Sequence, residues 1–334
     1  GGSMAAKSEF FSSFVDIEKR PRFSSECEIS PENFKALVGE YRLGEDVICQ
    51  VKGHKGICHQ KHRSGWLGVT SDGFEVLIGG HCARNYFKAD KSFALERKRV
   101  RKEIDRKIAL YKLEEYRKNK MSINDELSQL RQELIDTRVK LDQVHKHFPN
   151  AVLSFIESAQ KTKNWELKID VLDGFADDGE ARWVSGSLGK RKTLPYSYEV
   201  FGLINNVKTL SATFDEACQV NPDDIKTPKL KRIIEILNEK EEFKKTSSAL
   251  HRDVFAFVDP RNLEPLIYTC DDYEEEFLVA KAIMAVTGAK VSSEGHINLR
   301  LRRIKERIEK QFDGKLIRKN QISERFQRRN AFVG

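Results

Sequence analysis

From residue 88 to residue 148 the chain contains neither proline nor glycine. A stretch of that length, rich in Lys, Arg, Glu, Leu and Gln, has nothing in it to break a helix, so any fold must accommodate a long helical segment. From Leu127 the apolar positions step through Leu130, Leu134, Leu141, Val144 and Phe148, a heptad seam with one lapse at Thr137. Upstream, Val100, Ile104, Ile108 and Tyr111 form a stripe in a different register. Between the two lies Lys118–Ser122, where Ser122, ahead of Asp125 and Glu126, suits a new helix cap. Two forms fit. One is an antiparallel helical hairpin with its tip near 119–122, favoured because the stripe breaks where a cap begins. The other is a single long helix, about 90 Å end to end. Either is a coiled-coil arm that sets spacing or oligomeric state.

With 334 residues, 33% of them charged, the chain has room for two or three domains and suits elongated helical elements more than one compact α/β core. No apolar stretch is long enough for a membrane span. Gly1-Gly2-Ser3-Met4 reads as a tag remnant before a native start, and no basic-then-apolar leader follows it. These features predict a soluble, cytoplasmic protein without membrane contact.

The chemistry concentrates between residues 49 and 82. That stretch holds Cys49, His54, Cys58, His59, His62, His81 and Cys82, from a chain total of six cysteines and eight histidines. Thiols and imidazoles crowded this way point to a Zn2+ ion held by four ligands. Within the cluster, the apolar runs 66–70 and 74–78 flank Ser71-Asp72-Gly73, a hairpin signal. Such a hairpin returns Cys82 toward the residues that precede it. Cys58 and His62 are spaced to face one ion, and a helix beginning near Cys82 favours its thiolate through the helix dipole. The expected ligands are therefore Cys49, Cys58, His62 and Cys82, with His54, His59 and His81 as alternates. Cys27, Cys218 and Cys270 are scattered, so a secreted disulfide framework is not expected. The sequence shows neither His-Glu-x-x-His nor His-x-Glu with Pro-Cys-x-x-Cys, and Glu75 reads as a solvated strand residue. A structural ion is favoured over a catalytic one.

Elsewhere, Ser30-Pro31 predicts a helix running to about Leu43, and residues 150–161 predict another. Strands are expected over 165–172 and 182–184, joined by the turn Asp177-Asp178-Gly179. Asp170, Asp173, Asp177, Asp178 and Glu180 read as solvated acids. Gly186–Arg191 fails the phosphate-loop pattern twice and reads as an exposed basic turn, in which Lys190, Arg191 and Lys192 can touch phosphate. Thr227-Pro228 starts a helix, as do Asp272 and Ser292-Ser293, with Gly288 and Gly314 as stops.

The net charge of +8 lies in one place. Residues 296–330 carry twelve Lys/Arg and four Asp/Glu, and the remainder of the chain is neutral. Ile297, Leu301, Ile304, Ile308 and Phe312 form the apolar face of a helix there, while Arg300, Arg302, Arg303, Lys305, Arg307 and Lys310 occupy the other face. Arg318 and Lys319 follow. With the preceding helix this resembles a helix-turn-helix in outline, although the turn from Gly288 to Gly295 is longer than the compact form allows. The expected fold is mainly α with a small α+β zinc module. An N-terminal arm with the tag remnant spans 1–29, the module 30–88, the long arm 89–148, and a mostly helical, basic-ended domain 149–334. The expected function is zinc-stabilised, non-enzymatic nucleic-acid binding, DNA first. The alternatives are a protein–protein adaptor or homo-oligomer acting through the arm and module, and, more weakly, a zinc-dependent hydrolase.

Overall fold

The computed structural model describes residues 7–54, 56–290 and 293–321. Helix accounts for 56% and strand for 20%, so the chain is mainly α with a small β part. It divides into two compact units. One comprises residues up to 119 together with 217–235, and the other comprises 120–216 and 236 onward.

The first unit begins with β1 (Glu9–Phe11) and α1 (Phe14–Glu18). Next come β2 (Phe34–Ile48), two short strands β3 (Lys52–Gly53) and β4 (Gly56–Ile57), then β5 (Lys61–Thr70) and β6 (Glu75–Gly79). The helices α2 (Gly80–Tyr86) and α3 (Lys91–Lys118) follow. β1, β2, β5 and β6 form one sheet in that order, with β1 parallel to β2 and the other pairs antiparallel. The expected hairpin is the β5–β6 pair, with Gly73 at φ +86° in its turn. Both faces of this sheet are covered. Leu37, Trp66, Val76 and Ile78 pack with Phe93, Val100 and Ile104 of α3. Val38, Tyr41, Leu67 and Leu77 pack with Phe11 and Ile17. Two-sided burial explains why the runs at 66–70 and 74–78 are continuously apolar.

The helix expected from Ser30 to Leu43 is strand β2 instead. Asn33 is the reason at its start: its Oδ1 accepts from the Ser30 N–H at 2.7 Å and its Nδ2 donates to the Glu28 carbonyl, closing a turn rather than a cap. Within the strand, Leu37 packs in one cluster, and Val38, Tyr41, Leu43 and Val47 pack in the other. A Cβ on Gly39 would lie 2.5 Å from the Glu9 carbonyl, so glycine there permits the approach of β1. A register shift between Leu37 and Gly39 frees the Leu37 backbone groups. α3 takes them up: Glu96 accepts from the Leu37 N–H at 3.2 Å, and Arg99 donates to the Leu37 carbonyl at 2.8 Å. Further along α3 the expected stripe fails, since Ile108 and Tyr111 are exposed and Ala109 and Leu113 are buried instead. On this part of α3, Arg106 donates to the carbonyls of Pro222 and Ile225, and Arg117 to that of Val220.

The second unit is built on α4 (Lys120–His147) and α5 (Asn150–Thr162), then the hairpin β7 (Glu166–Phe175) and β8 (Ala181–Lys190). The chain continues through α6 (Ser197–Gln219), passes through the first unit, where α7 (Thr227–Leu237) lies almost wholly, and returns with α8 (Lys240–Phe257), the single turn α9 (Pro260–Leu263) and a 3-10 turn (Glu264–Thr269). It closes with α10 (Tyr273–Val286), α11 (Glu294–Lys310) and β9 (Ile317–Lys319), which adds to the free side of β7. The helix starts at Thr227, Asp272 and Ser293 are as expected; Ser292 lies outside the described residues. The heptad seam expected to serve a spacer or an oligomer is buried in this unit's own core. Leu127, Leu130, Leu134, Thr137, Leu141 and Val144 are all buried, and α4 packs on α8 and α10. Thr137 is tolerated there because its hydroxyl donates to the Glu133 carbonyl one turn back at 2.8 Å.

Candidate functional site

The thiols at 49, 58 and 82 converge in the first unit. Cys49 follows β2, Cys58 follows β4, and Cys82 lies in the first turn of α2. The small β3–β4 hairpin brings the first two together: the Cys49 N–H donates to the Gln60 carbonyl and the Cys58 N–H to the Val51 carbonyl. β5 and β6 then return the chain, and α2 docks on the small hairpin where Gly53 lies against the Tyr86 ring. The three sulfurs all lie within 4.8 Å of one another. Cys58 and Cys82 are in Sγ–Sγ contact at 3.1 Å, and the Gly79 N–H donates to the Cys49 sulfur at 3.4 Å. Cys49 and Cys82 are buried and Cys58 is half-buried. Three close thiols of this kind can hold a metal ion.

The histidines are placed otherwise. His62 is not in this group. Its Nε2 meets the Tyr41 hydroxyl and its Nδ1 faces the Gln60 carbonyl, over the space that a side chain at Gly79 would fill. Burial holds the His62 imidazole below its ordinary pKa. His81 pairs with Asn85 at 2.8 Å, His54 lies against the Tyr86 ring, and His59 is exposed. Burial raises the Cys49 and Cys82 thiols, and contact with Cys58 raises Cys82 further. Glu75, expected to be solvated, is buried and clamped by Arg20 through two bonds of 2.6 and 3.0 Å.

In the second unit, the apolar face of α11 is as expected: Ile297, Leu301, Ile304 and Ile308 are buried. Several of its cations are not free. Arg307 and Arg300 pair with the buried Glu264 at 2.7 and 3.6 Å, and Lys305 pairs with Glu276. Lys319 pairs with Asp271, and Arg318 sits over the Trp183 ring with its Nε 3.4 Å from Asp170. Asp170 is wholly buried, against the expectation of a solvated turn acid. Arg191 is half-buried and donates to the carbonyls of Leu188, Arg261 and Asn262, so it braces this region rather than standing in an exposed turn. Burial lowers its pKa. Lys190, Lys192, Arg302, Arg303 and Lys310 remain exposed.

Two clefts border the stretch 259–264. One, of about 350 Å³, is lined by Lys190, Arg191, Lys192, Asp259, Arg261 and Asn262. The other, of about 330 Å³, is lined by Glu264, His296, Arg300, Arg303 and Arg307 with Met284 and Leu299. Arg261 was missed in the sequence because it lies far along the chain from both basic segments. No protein-family model, curated protein or solved structure matches the chain.

Proposed function

We propose that this is a non-enzymatic nucleic-acid-binding protein: its second unit contacts phosphate, and its first is built around a structural zinc ion held by Cys49, Cys58 and Cys82. The observation that carries the nucleic-acid reading is convergence. Two basic segments remote in sequence, 190–192 and 300–310, both anchor on residues 261–264, where exposed Arg261 joins them. Exposed Lys192 and Arg261 border one cleft, and exposed Arg303 borders the other. Clustered guanidinium donors suit phosphate oxygens.

Thiolate ligands favour zinc among the common divalent ions, and a buried site suits a structural role. The acid singled out for the hydrolase reading, Glu75, is committed to Arg20. The adaptor reading drew on the seam of α4, which is buried in its own unit. No described helix is long and apolar enough to cross a membrane. Six free thiols fit a reducing compartment such as the cytoplasm.

The test is a binding measurement on labelled single- and double-stranded oligonucleotides at 50 and 200 mM salt. Phosphate-led binding weakens by at least about tenfold across that range. Absent or salt-insensitive binding contradicts the proposal.

A further inference from the structure

Three thiols leave a tetrahedral ion one ligand short. The stretch 22–30 bears on the fourth, because it runs beside the strands that carry the others. Phe23 bridges Glu75 and Ile29 bridges Val51, both in parallel register. The Ile29 N–H donates to the Gln50 carbonyl at 3.0 Å, and the Lys52 N–H donates to the Ile29 carbonyl at 2.8 Å. Cys27 precedes Ile29 by two residues, as Cys49 precedes Val51 by two. Residues two apart on an extended chain share a side, and both Ile29 and Val51 are fully buried. Cys27 thus lies two residues before a bridge to the segment that carries Cys49, although Cys27 itself makes no ladder pair.

Gln50 fixes this alignment. Its Nε2 donates to the carbonyls of Ser24 and Cys27 at 2.7 and 2.8 Å, while its Oε1 accepts from the Leu77 N–H. The half-buried Cys27 packs against the apolar cluster that contains Cys49 and Cys82, with Cys58 also at its edge. Its sulfur is outside the group of three within 4.8 Å. The competing imidazoles of His62 and His81 are already bonded to Tyr41 and Asn85.

We propose that Cys27 is the fourth ligand, completing a four-thiolate site with Cys49, Cys58 and Cys82 for a soft divalent ion of the zinc class. The inference rests on the reading that the other three thiols hold an ion.

Co2+ titrated into the chelator-treated full chain tests it, because sulfur-to-cobalt charge-transfer absorption reports the thiolates bound. Cys27→Ser should lose about one quarter of that absorption per bound ion, as one thiolate of four. It should bind at least about 10-fold more weakly, since loss of a ligand exceeds the effect of losing its supporting contacts. Cys27→His, which supplies a different ligand atom, should regain affinity without regaining the absorption. Cys218→Ser should match the unaltered protein. If Cys27→Ser keeps full absorption and affinity, Cys27 is not a ligand and the inference is overturned, while the three-thiol reading stands. If the unaltered protein shows no thiolate absorption with Co2+, both readings fall together.

Discussion

Arg20 and Glu75 illustrate how a single pair can fix a local arrangement. Arg20 follows α1 and Glu75 opens β6, and two bonds join them with little solvent around the carboxylate. Arg20→Ala strands a buried acid, so it should cost roughly 3 kcal/mol in urea unfolding, at the lower end for breaking a buried pair. A loss below about 1 kcal/mol would mean that the pair is solvated. Glu75 read as solvated in the sequence because its partner lies 55 positions away. Asp170 was misread for the same reason. The turn acids around it are local, but its own partners are Arg318 and the Gln321 N–H. The thiols at 49, 58 and 82 were legible, because residue type alone marks them in a chain with few cysteines. His62 had equally suitable spacing, but Tyr41 takes its Nε2.

At the level of elements, α4 shows what periodicity conveys and what it omits. The seam from Leu127 to Val144 is the buried stripe, as the spacing predicts. A heptad pattern does not say whether the surface facing it belongs to a second chain or to the same one. Here α8 and α10 supply it. Leu134→Ala should therefore lower stability by about 3 kcal/mol, as in a globular core, at all protein concentrations. A cost that varies with concentration would restore the oligomer reading. α4 also meets α8 through Glu126, which pairs with Lys240 at 2.8 Å and Lys244 at 3.1 Å. Hydrogen bonding to Lys240 and then Lys244 holds the Glu126 carboxyl below its ordinary value of 4.5. A lowered carboxylate stabilises the fold above the unfolded pKa, and that contribution disappears as pH falls through the folded one. Glu126→Gln should thus lose stability at neutral pH and show a shallower acid decline below about pH 4.5 than the parent. Parallel declines in the two proteins would contradict the pairing. β2 was the reverse case: Ser30-Pro31 carried a helix-start signal, but Asn33 and the neighbouring β1, which only the assembled sheet supplies, decided for strand.

For the whole molecule, the mainly α class was legible because long helices advertise themselves over many residues. The two compact units were not, since residues 217–235 join a unit whose other members end at 119. The proposed binding surface was half legible. Composition located the positive charge, but ion pairs with Glu264, Glu276, Asp170 and Asp271 engage Arg300, Arg307, Lys305, Arg318 and Lys319. We therefore propose phosphate contact for Lys192, Arg261, Arg302 and Arg303, and bracing for Arg191, Lys305, Arg307 and Arg318. The most direct test is the slope of log binding constant against log salt for the parent and for a variant with Lys192, Arg261, Arg302 and Arg303 changed to Gln. Each phosphate contact contributes about 0.9 to that slope on duplex DNA and about 0.7 on single strands. The variant should fold as the parent does, with a slope shallower by about 2 to 4. An unchanged slope in a folded variant would contradict the proposal.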